Sequence, residues 1–256
     1  MSSDLLALAD SVARETGAQL RDAFERVEDL RISTKSTPTD LVSEADVAAE
    51  RLIRERIHAA RPDDALLGEE GSDVDGSSGL RWVVDPLDGT VNFLFGIPQW
   101  CVSIAVEDDG GTLAGVVYDA MRDELWAATG DGPATMNGET IQAPNRDDLA
   151  TAMVATGFGY QPDVRRVQAD VVGRLLPQVR DVRRLGSAAL DLVWTAAGRY
   201  DAYFERGLNA WDLAAGELVC ARAGLEVVQL APAPPSGPGV LVASSGLAAV
   251  LAPLLD

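Results

Sequence analysis

The feature that most constrains this chain is an apolar run that ends in two carboxylates three positions apart. Residues 82–93 read Trp-Val-Val-Asp-Pro-Leu-Asp-Gly-Thr-Val-Asn-Phe, which places the acids at Asp85 and Asp88. Apolar β-formers are typical of a buried strand, so the strand is predicted to give way to a tight turn at the acids. Pro86 fixes its own φ and Gly89 permits φ above zero, so the turn can direct both carboxylates toward one point. Hard oxygen donors that converge at a strand end suit Mg²⁺ together with a phosphate ester, although a bare acidic surface turn accounts for most such pairs.

Length and charge restrict the classes of partner. The chain has 256 residues, of which 47% are apolar, and this suits one large domain or two closely packed lobes. Its 40 acidic residues outnumber its 21 basic residues, which gives a formal net charge of −19. Such a surface repels nucleic acid and anionic membranes, so neither is expected as a partner. A small phosphorylated metabolite remains compatible with it, because bound cations can meet the charge of the phosphate.

The cysteines and the N-terminus predict a cytoplasmic protein. Cys101 and Cys220 lie in apolar surroundings without a C-x-x-C spacing, so two buried, reduced thiols are expected. Asp4 and Asp10 interrupt the first segment, so it is not expected to be a signal peptide, and no run approaches the ~18 apolar residues of a membrane span. With His58 as the single histidine, a metal site built on histidine is excluded.

Hydrophobic periodicity predicts an alternation of helices and strands. Helices are predicted over 4–28, 43–61, 163–180, 187–197, 212–223 and 246–255. Strands are predicted at 66–67, 82–84, 101–107, 112–118, 124–128, 151–156, 182–185, 201–205, 225–230 and 240–243, with loops at 33–42, 72–80 and 231–239. An antiparallel meander with helices in the first half, and alternating strands and helices in the second, is typical of layered α/β sandwiches.

Four carboxylates share one local context, because each lies where a strand ends or a helix begins. They are Glu69, Asp85, Asp88 and Asp212. Taken alone, Glu69 is also compatible with a solvated loop acid and Asp212 with a simple helix N-cap. If all four converge, two unit charges ~4 Å apart repel by about 4 kcal/mol at an effective dielectric near 20. Two Mg²⁺ ions would balance the four charges, and a phosphate dianion would leave room for a third ion, which favours a multi-metal phosphoester hydrolase.

A hydrolase also needs groups that activate the attacking water. Thr90 follows Asp88 by two residues, and its hydroxyl can relay a proton to a carboxylate. Asp46 is the candidate partner. Its alternative role is to cap the helix that begins after Ser43.

In identity and order, these segments resemble the inositol monophosphatases. The segments that carry the resemblance are Lys35-Ser-Thr-Pro-Thr-Asp-Leu-Val-Ser-Glu-Ala-Asp46, Gly68-Glu69-Glu70, Asp85-Pro-Leu-Asp-Gly-Thr-Val-Asn-Phe93 and Trp211-Asp-Leu-Ala-Ala-Gly216. The likeness extends over nearly the whole chain. It implies an α/β (α+β) fold, a layered αβαβα sandwich of the sugar-phosphatase type with an antiparallel N-terminal sheet and a mixed C-terminal sheet. An N-terminal lobe of residues 1–140 and a C-terminal lobe of residues 141–256 would form one compact unit, and homodimerisation and lithium inhibition are further expectations from the family.

Carried over position by position, the resemblance implies three sets of residues. The implied metal ligands are Glu69, Asp85, the Leu87 carbonyl, Asp88 and Asp212, holding two to three Mg²⁺ ions. The implied catalytic residues are Asp46, Thr90 and Glu69, with Thr90 and Asp46 orienting a water for in-line attack without a covalent intermediate. The implied substrate-binding residues are Glu69, Leu87, Asp88, Gly89, Thr90, Gly186, Ser187, Ala188, Glu205 and Asp212. Leu87 and Ser187 replace the isoleucine and threonine that are commoner in the family, and these changes keep a backbone ligand and a hydroxyl.

Other interpretations remain open. Haloacid-dehalogenase-type phosphatases also place an Asp-rich turn after a strand, but with one residue between the two acids, whereas Pro86 and Leu87 both intervene here. Within the resembling family, histidinol phosphate, fructose 1,6-bisphosphate and 3′-phosphoadenosine 5′-phosphate are alternative substrates, although residues 183–191 are most similar to the inositol type. A non-catalytic, metal-dependent binding protein is the alternative from a different class, and it would have no need of Thr90 and Asp46.

Overall fold

Helices and two β-sheets alternate through the computed structural model of the chain, which describes residues 2–30, 32–34, 41–71 and 73–255. The first half contains α1 (Ser2–Phe24), β1 (Ile32–Thr34), β2 (Leu41–Ser43), α2 (Glu44–Ala60), β3 (Ala65–Gly68), β4 (Arg81–Asp88), α3 (Thr90–Leu94), β5 (Cys101–Asp108), β6 (Gly111–Asp119), β7 (Glu124–Thr129), β8 (Thr135–Met136) and β9 (Glu139–Thr140). The second half contains β10 (Met153–Thr156), α4 (Pro162–Leu175), β11 (Asp181–Arg183), α5 (Ala188–Ala196), β12 (Ala202–Arg206), α6 (Ala210–Arg222), β13 (Glu226–Leu230), β14 (Gly239–Ala243) and α7 (Ser245–Leu251).

The larger sheet separates two hydrophobic cores. Its strands lie in the order β3-β4-β5-β6-β7-β8-β9, in which β3 and β4 are parallel and the other neighbouring pairs are antiparallel. Side chains alternate between the two faces of a strand. Trp82 and Val84 of β4 therefore pack in the core formed with α1 and α2, while Val83 packs in the core that contains α5 and α6.

The smaller sheet covers the other side of α5 and α6. Its strand order is β11-β10-β12-β14-β13, with parallel pairs around β10 and antiparallel pairs around β14. Val240 and Val242 of β14 face the core shared with α5 and α6, whereas Leu241 and Ala243 face a third core with α4 and α7. The layers therefore run helix, sheet, helix, sheet, helix, which confirms the predicted αβαβα sandwich with its mixed C-terminal sheet. The prediction of an antiparallel N-terminal sheet is wrong at one edge, because β3 pairs with β4 in parallel.

Several predicted boundaries are wrong. The first helix ends at Phe24 and is followed by a short 3₁₀ turn, and α4 ends at Leu175 because Pro177 in the next 3₁₀ turn cannot continue an α-helix. Of the loop predicted at 33–42, the ends belong to the antiparallel pair β1–β2, and residues 35–40 lie outside the described residues. The short strands β8 and β9 were not predicted, since two residues carry too little periodicity.

The thiols and the helices agree with the simpler expectations. Cys101 and Cys220 are buried free thiols, as predicted. Within the described ranges, the helices are all too short or too polar to cross a lipid bilayer.

Candidate active site

A β-bulge at the end of β4 brings two acids onto the same face of the larger sheet. Asp85 lies opposite Ser103 of β5 and Asp88 lies opposite Cys101, so three steps along β4 match two steps along β5. In a regular strand, residues three apart point to opposite faces, and the extra residue of the bulge removes that difference. Both carboxylates are buried. The tight turn predicted at the acids is therefore wrong in its position, because β4 continues through Asp88. The bulge, not a turn, directs both carboxylates to one face.

Gly89 joins β4 to α3 in a conformation that requires glycine. Its φ is +100°, and a Cβ at this position would lie 2.8 Å from the Gln99 carbonyl oxygen and 3.1 Å from the Trp100 Cα. The first residue of α3 is consequently Thr90, immediately after the acidic end of β4. The sequence argument for a special backbone at Gly89 holds, for steric as well as conformational reasons.

Thr90 and Asp46 form the predicted pair. The Thr90 hydroxyl lies 2.8 Å from Asp46 Oδ1 and 3.1 Å from the Leu87 carbonyl oxygen, either of which can accept its single hydrogen. Asp46 Oδ2 accepts from the Ser43 N–H at 2.9 Å and from the Ser43 hydroxyl at 2.6 Å. Helix capping and contact with Thr90 were weighed as alternatives for Asp46. In the structure it does both, with one carboxylate oxygen for each.

The environment of Asp46 favours a carboxylate that holds a proton more readily than usual. Burial raises the pKa of Asp46, and the hydrogen bonds from Ser43 and Thr90 lower it by less, so the net shift is upward. Asp46 is fully buried, whereas Thr90 is partly exposed to the cavity in front of it. The pair therefore links a buried base to a hydroxyl that solvent can reach.

Glu69 follows the last residue of β3, and a second acid holds this end of the strand. The Glu69 N–H donates to the Val84 carbonyl at 3.3 Å, which continues the pairing with β4. Glu50 of α2 is buried, and its Oε2 accepts the N–H of Glu70 at 2.7 Å. A Cβ on Gly68 would lie 2.4 Å from the same oxygen, so glycine allows this approach. Sequence reasoning missed Glu50, although it lies four residues after Asp46 on one face of α2, a spacing that could have identified it.

Asp212 reaches the site from α6, where it is the third helical residue in a capping box and not the N-cap residue, which is Asn209. It lies in the first turn, and its Oδ2 accepts the N–H of Asn209 at 2.6 Å. The expectation that Asp212 precedes the helix is therefore corrected, since the helix begins at Ala210. On β6, a Cβ at Gly115 would lie 2.9 Å from the Cα of Ala215, so α6 packs closely on the larger sheet. This packing holds α6 against the sheet in which β4 carries Asp85 and Asp88.

The start of α5 closes another side of the site through hydrogen bonds to Asp88. Its Oδ2 accepts from the Ser187 hydroxyl at 2.6 Å and from the Ala189 N–H at 2.7 Å. Asn92 of α3 donates to the Leu185 carbonyl at 2.7 Å and so ties α3 to the same segment. Sequence reasoning missed Asn92. Ser187, a predicted substrate-binding residue, lines the cavity, and its hydroxyl donates to Asp88.

The acids of the cavity act on one another's pKa values. Burial raises the pKa of Asp85 well above its ordinary value, and the negative charges of Glu69, Asp88 and Asp212 raise it further. Burial also raises the pKa of Asp88, to about 6, although donors from α5 oppose the shift. The pKa of Asp212 rises for the same reasons, burial first and then the charges of Asp88 and Glu69.

These acids fit a hard divalent cation in chemistry. Carboxylate and carbonyl oxygens are the ligands that Mg²⁺ takes in proteins. In the described part of the chain, no three acidic, histidine or cysteine side chains already stand close enough together to form a ready-made ligand set. The chemistry of the donors, not a ready-made ligand geometry, is therefore what suits Mg²⁺.

One cavity of about 570 Å³ gathers the predicted residues. The predicted residues that line it are Glu69, Asp85, Leu87, Asp88, Gly89, Thr90, Gly186, Ser187, Ala188, Glu205 and Asp212. Asp46 lies behind Thr90 and is the remaining member of the set. The far wall is formed by residues 157–160 together with Arg165, Arg184 and Glu205, and of these only Glu205 was predicted.

Comparison with known proteins yields one family and close relatives. The profile of the inositol monophosphatase family matches residues 1–255. Inositol-1-monophosphatase SuhB of Mycobacterium tuberculosis H37Rv is 43% identical over 263 residues, covering 95% of this chain and 90% of that protein. Nus factor SuhB of Pasteurella multocida is 42% identical over 222 residues, covering 86% of this chain and 83% of that protein.

Solved structures share the whole fold. The extragenic suppressor protein suhB of Bartonella henselae superposes with a TM-score of 0.92 at 33% identity, covering 99% of this chain and 98% of that one. A structure of SaIMPase-II with inositol monophosphate bound superposes with a TM-score of 0.80 at 28% identity, covering 98% of this chain and 94% of that one.

Proposed function

Because the chain belongs to the inositol monophosphatase family, we propose that it hydrolyses inositol monophosphate to inositol and phosphate with Mg²⁺ as cofactor. Family and relatives confirm the resemblance and the prediction of a phosphoric monoester hydrolase. The identity of the ester and the dependence on Mg²⁺ are the proposal. One observation carries it: four acids share a cavity with a hydroxyl–carboxylate pair.

The metal site of this proposal uses oxygen ligands only. Glu69, Asp85, the Leu87 carbonyl, Asp88 and Asp212 would hold two to three Mg²⁺ ions. When bound, the ions supply a lowered pKa for the attacking water and positive charge beside the departing oxygen.

The proton path of this proposal uses the buried pair. Thr90 orients the attacking water through its hydroxyl oxygen, which can accept from the water while its hydrogen goes to Asp46 Oδ1. Asp46 receives the proton at Oδ1, which accepts from Thr90, because Oδ2 already accepts from the N–H and the hydroxyl of Ser43. Glu69, at the end of β3, is the third residue assigned to catalysis.

The alcohol half of the substrate would lie against the far wall. Glu205 lines that wall, and Tyr203 donates to its Oε2 at 2.8 Å. The Gly186–Ala188 segment borders the same space. In support, the SaIMPase-II structure that shares this fold holds inositol monophosphate. Histidinol phosphate, fructose 1,6-bisphosphate and 3′-phosphoadenosine 5′-phosphate are the alternative substrates for the same metal core.

A phosphate-release assay tests the proposal. The four esters are compared at equal concentration with Mg²⁺ and with EDTA, using wild type and Thr90→Val. We expect inositol 1-phosphate to be the best substrate, EDTA to abolish release, and Thr90→Val to lower kcat by about 100-fold, within the range of general acid–base contributions. Mg²⁺-dependent turnover would eliminate the alternative of a non-catalytic binding protein, and rapid release in EDTA would contradict the metal assignment.

Partners and location beyond the substrate stay predictions. Relatives of nearly equal identity are named either inositol-1-monophosphatase or Nus factor SuhB, so the expectation of no nucleic-acid partner rests on the net charge of −19 alone. The homodimer, the cytoplasmic location and the division into lobes at residue 140 likewise rest on the sequence arguments.

A further inference from the structure

Arg184 places a guanidinium in the lining of the cavity that holds the predicted acids. The segment before α5 carries it, and three observations fix its position. It lines the cavity. Its Cζ lies 5.8 Å from the centroid of the Phe158 ring. Its Nη1 lies so close to Gly186 that a Cβ there would be 2.5 Å away. The guanidinium therefore rests between an aromatic face and the backbone of a predicted substrate-binding segment.

Apart from its contact with Phe158, this guanidinium has no partner in the described part of the fold. Within the described part of the chain, Arg184 forms no hydrogen bond or ion pair, and the residue is exposed. The adjacent Arg183 behaves differently: its Nη1 lies 2.6 Å from Asp181 Oδ2 and donates to the Val182 carbonyl at 3.0 Å. Arg184 thus keeps up to five N–H donors available for a ligand.

Glu205 presents a fixed acceptor on the same wall. It accepts from Tyr203 at 2.8 Å, and a Cβ on Gly157 would lie 1.8 Å from its Oε2, so the carboxylate is held between the tyrosine and a glycine that leaves it room. The charge of Arg184 reaches Glu205 and acts to lower its pKa, against burial, which raises it to about 7. Donor and acceptor therefore face one region of the cavity without bonding to each other.

We propose that Arg184 is a specificity-determining residue that, together with Glu205, binds the hydroxyl groups of the leaving alcohol. The inference rests on the proposed function and deepens it. A hydroxyl both donates and accepts, so it can satisfy Glu205 and Arg184 at once. A second phosphate would be repelled by the carboxylate of Glu205, and the ammonium of an amino alcohol would be repelled by the guanidinium of Arg184. The pair selects neutral polyol phosphates over bisphosphates and amino-alcohol phosphates.

The test compares Arg184→Ala with Arg183→Ala as a matched control, each assayed with Mg²⁺ on inositol 1-phosphate and on 4-nitrophenyl phosphate, which has no hydroxyls. For Arg184→Ala we expect KM for inositol 1-phosphate to rise about 10- to 100-fold, as for lost hydrogen bonds to a charged group, with kcat within about threefold. The ratio of kcat/KM between the two esters should fall at least about tenfold. Arg183→Ala should leave that ratio unchanged. Arg184→Gln should recover part of the ratio because its amide still donates.

The outcomes separate this inference from the function on which it rests. An equal loss on both esters in Arg184→Ala would overturn the inference and leave the phosphatase activity in place, because the residue would then act on the phosphate end. A wild-type protein that releases no phosphate from either ester removes the proposed function and this inference together. Gain of histidinol phosphate turnover by Arg184→Ala would support the exclusion of amino alcohols.

Discussion

Buried carboxylates occur in two settings in this molecule, and their partners differ. Asp64, between α2 and β3, accepts from Arg61 Nε at 2.8 Å, from Arg61 Nη2 at 3.1 Å and from the Trp82 indole at 2.9 Å. Burial acts to raise the pKa of Asp64, but these donors together with Ser78 outweigh it, so the net shift is downward. In the active-site cavity, burial and neighbouring acids both act upward on the pKa of Asp85.

The two settings differ in the source of the positive charge that balances each carboxylate. Within the described residues, no arginine or lysine forms an ion pair with Asp85, Asp88 or Asp212, while Asp64 has its own arginine. A buried charge without a partner is costly, so a site that keeps several of them supports the proposed role of a bound cation. Asp64 stabilises the fold by itself, and the cavity acids become favourable only with a ligand.

Substituting one acid in each setting should affect activity in one case and stability in the other. Asp85→Asn keeps the shape of the side chain and removes one charge from the metal site. We expect kcat/KM to fall about 1,000-fold, equivalent to about 4 kcal/mol of transition-state stabilisation. Asp64→Asn should retain wild-type kcat/KM. Near-normal phosphate release by Asp85→Asn would contradict the assignment of the cavity acids to metal binding.

Mg²⁺ should stabilise the folded protein through the cavity alone. A ligand at 100 times its Kd that binds only the folded state adds about 2.7 kcal/mol, which corresponds to a rise in Tm of about 5–10 °C for a domain of this size. Differential scanning calorimetry with MgCl₂, and with NaCl at matched ionic strength, measures the shift. Asp85→Asn should lose most of it and Asp64→Asn should keep it. An equal rise in Tm in wild type and Asp85→Asn would show that the stabilising ions bind outside the cavity.

The sequence predicted the members of the site better than their backbone setting. Asp85, Asp88 and Thr90 stood out because a dense run of unusual residues follows an apolar strand, and local spacing carries that signal. The bulge that aligns the two acids could not be read from the run, because it is defined by register against β5, a partner strand. The same limit applies to Asp212, whose position within α6 depends on where Asn209 begins the helix.

Residues that act through other residues were missed. Glu50 holds the Glu69–Glu70 turn from a distant helix, and Asn92 ties α3 to the segment before α5. Each looks like an ordinary polar residue in its own helix, and only the packing of layers reveals its partner. Arg184 was present in a stretch recognised as similar to the inositol type, but sequence alone does not show that its guanidinium lies over Gly186.

Asp64, which is paired with Arg61, should contribute measurably to the free energy of unfolding. In Asp64→Asn, the bonds from Arg61 and Trp82 lose a charged acceptor, and about 2–3 kcal/mol of unfolding free energy should be lost, since hydrogen bonds to charged groups contribute about 1.5–3 kcal/mol. Asp63→Asn is the matched control because Asp63 is exposed, and it should cost less than about 0.5 kcal/mol. Urea unfolding at pH 7 measures both. An equal loss of unfolding free energy in the two variants would show that the bonds of Asp64 to Arg61 and Trp82 do not stabilise the fold.

The pH dependence of that loss gives the smallest and most specific effect. A carboxyl whose pKa is lower in the folded than in the unfolded state contributes stability that is complete above its unfolded pKa of about 3.9 and disappears as the pH falls through its folded pKa. The difference in unfolding free energy between wild type and Asp64→Asn should therefore be constant from about pH 5 to 8. It should shrink below about pH 4, where Asp64 is protonated first in the unfolded chain and then, below its folded pKa, in the folded protein. Urea titrations at pH 7, 5, 4 and 3 follow this difference. If it grew as the pH fell, Asp64 would be destabilised by its ionisation, like the cavity acids, and the distinction between the two settings would fail.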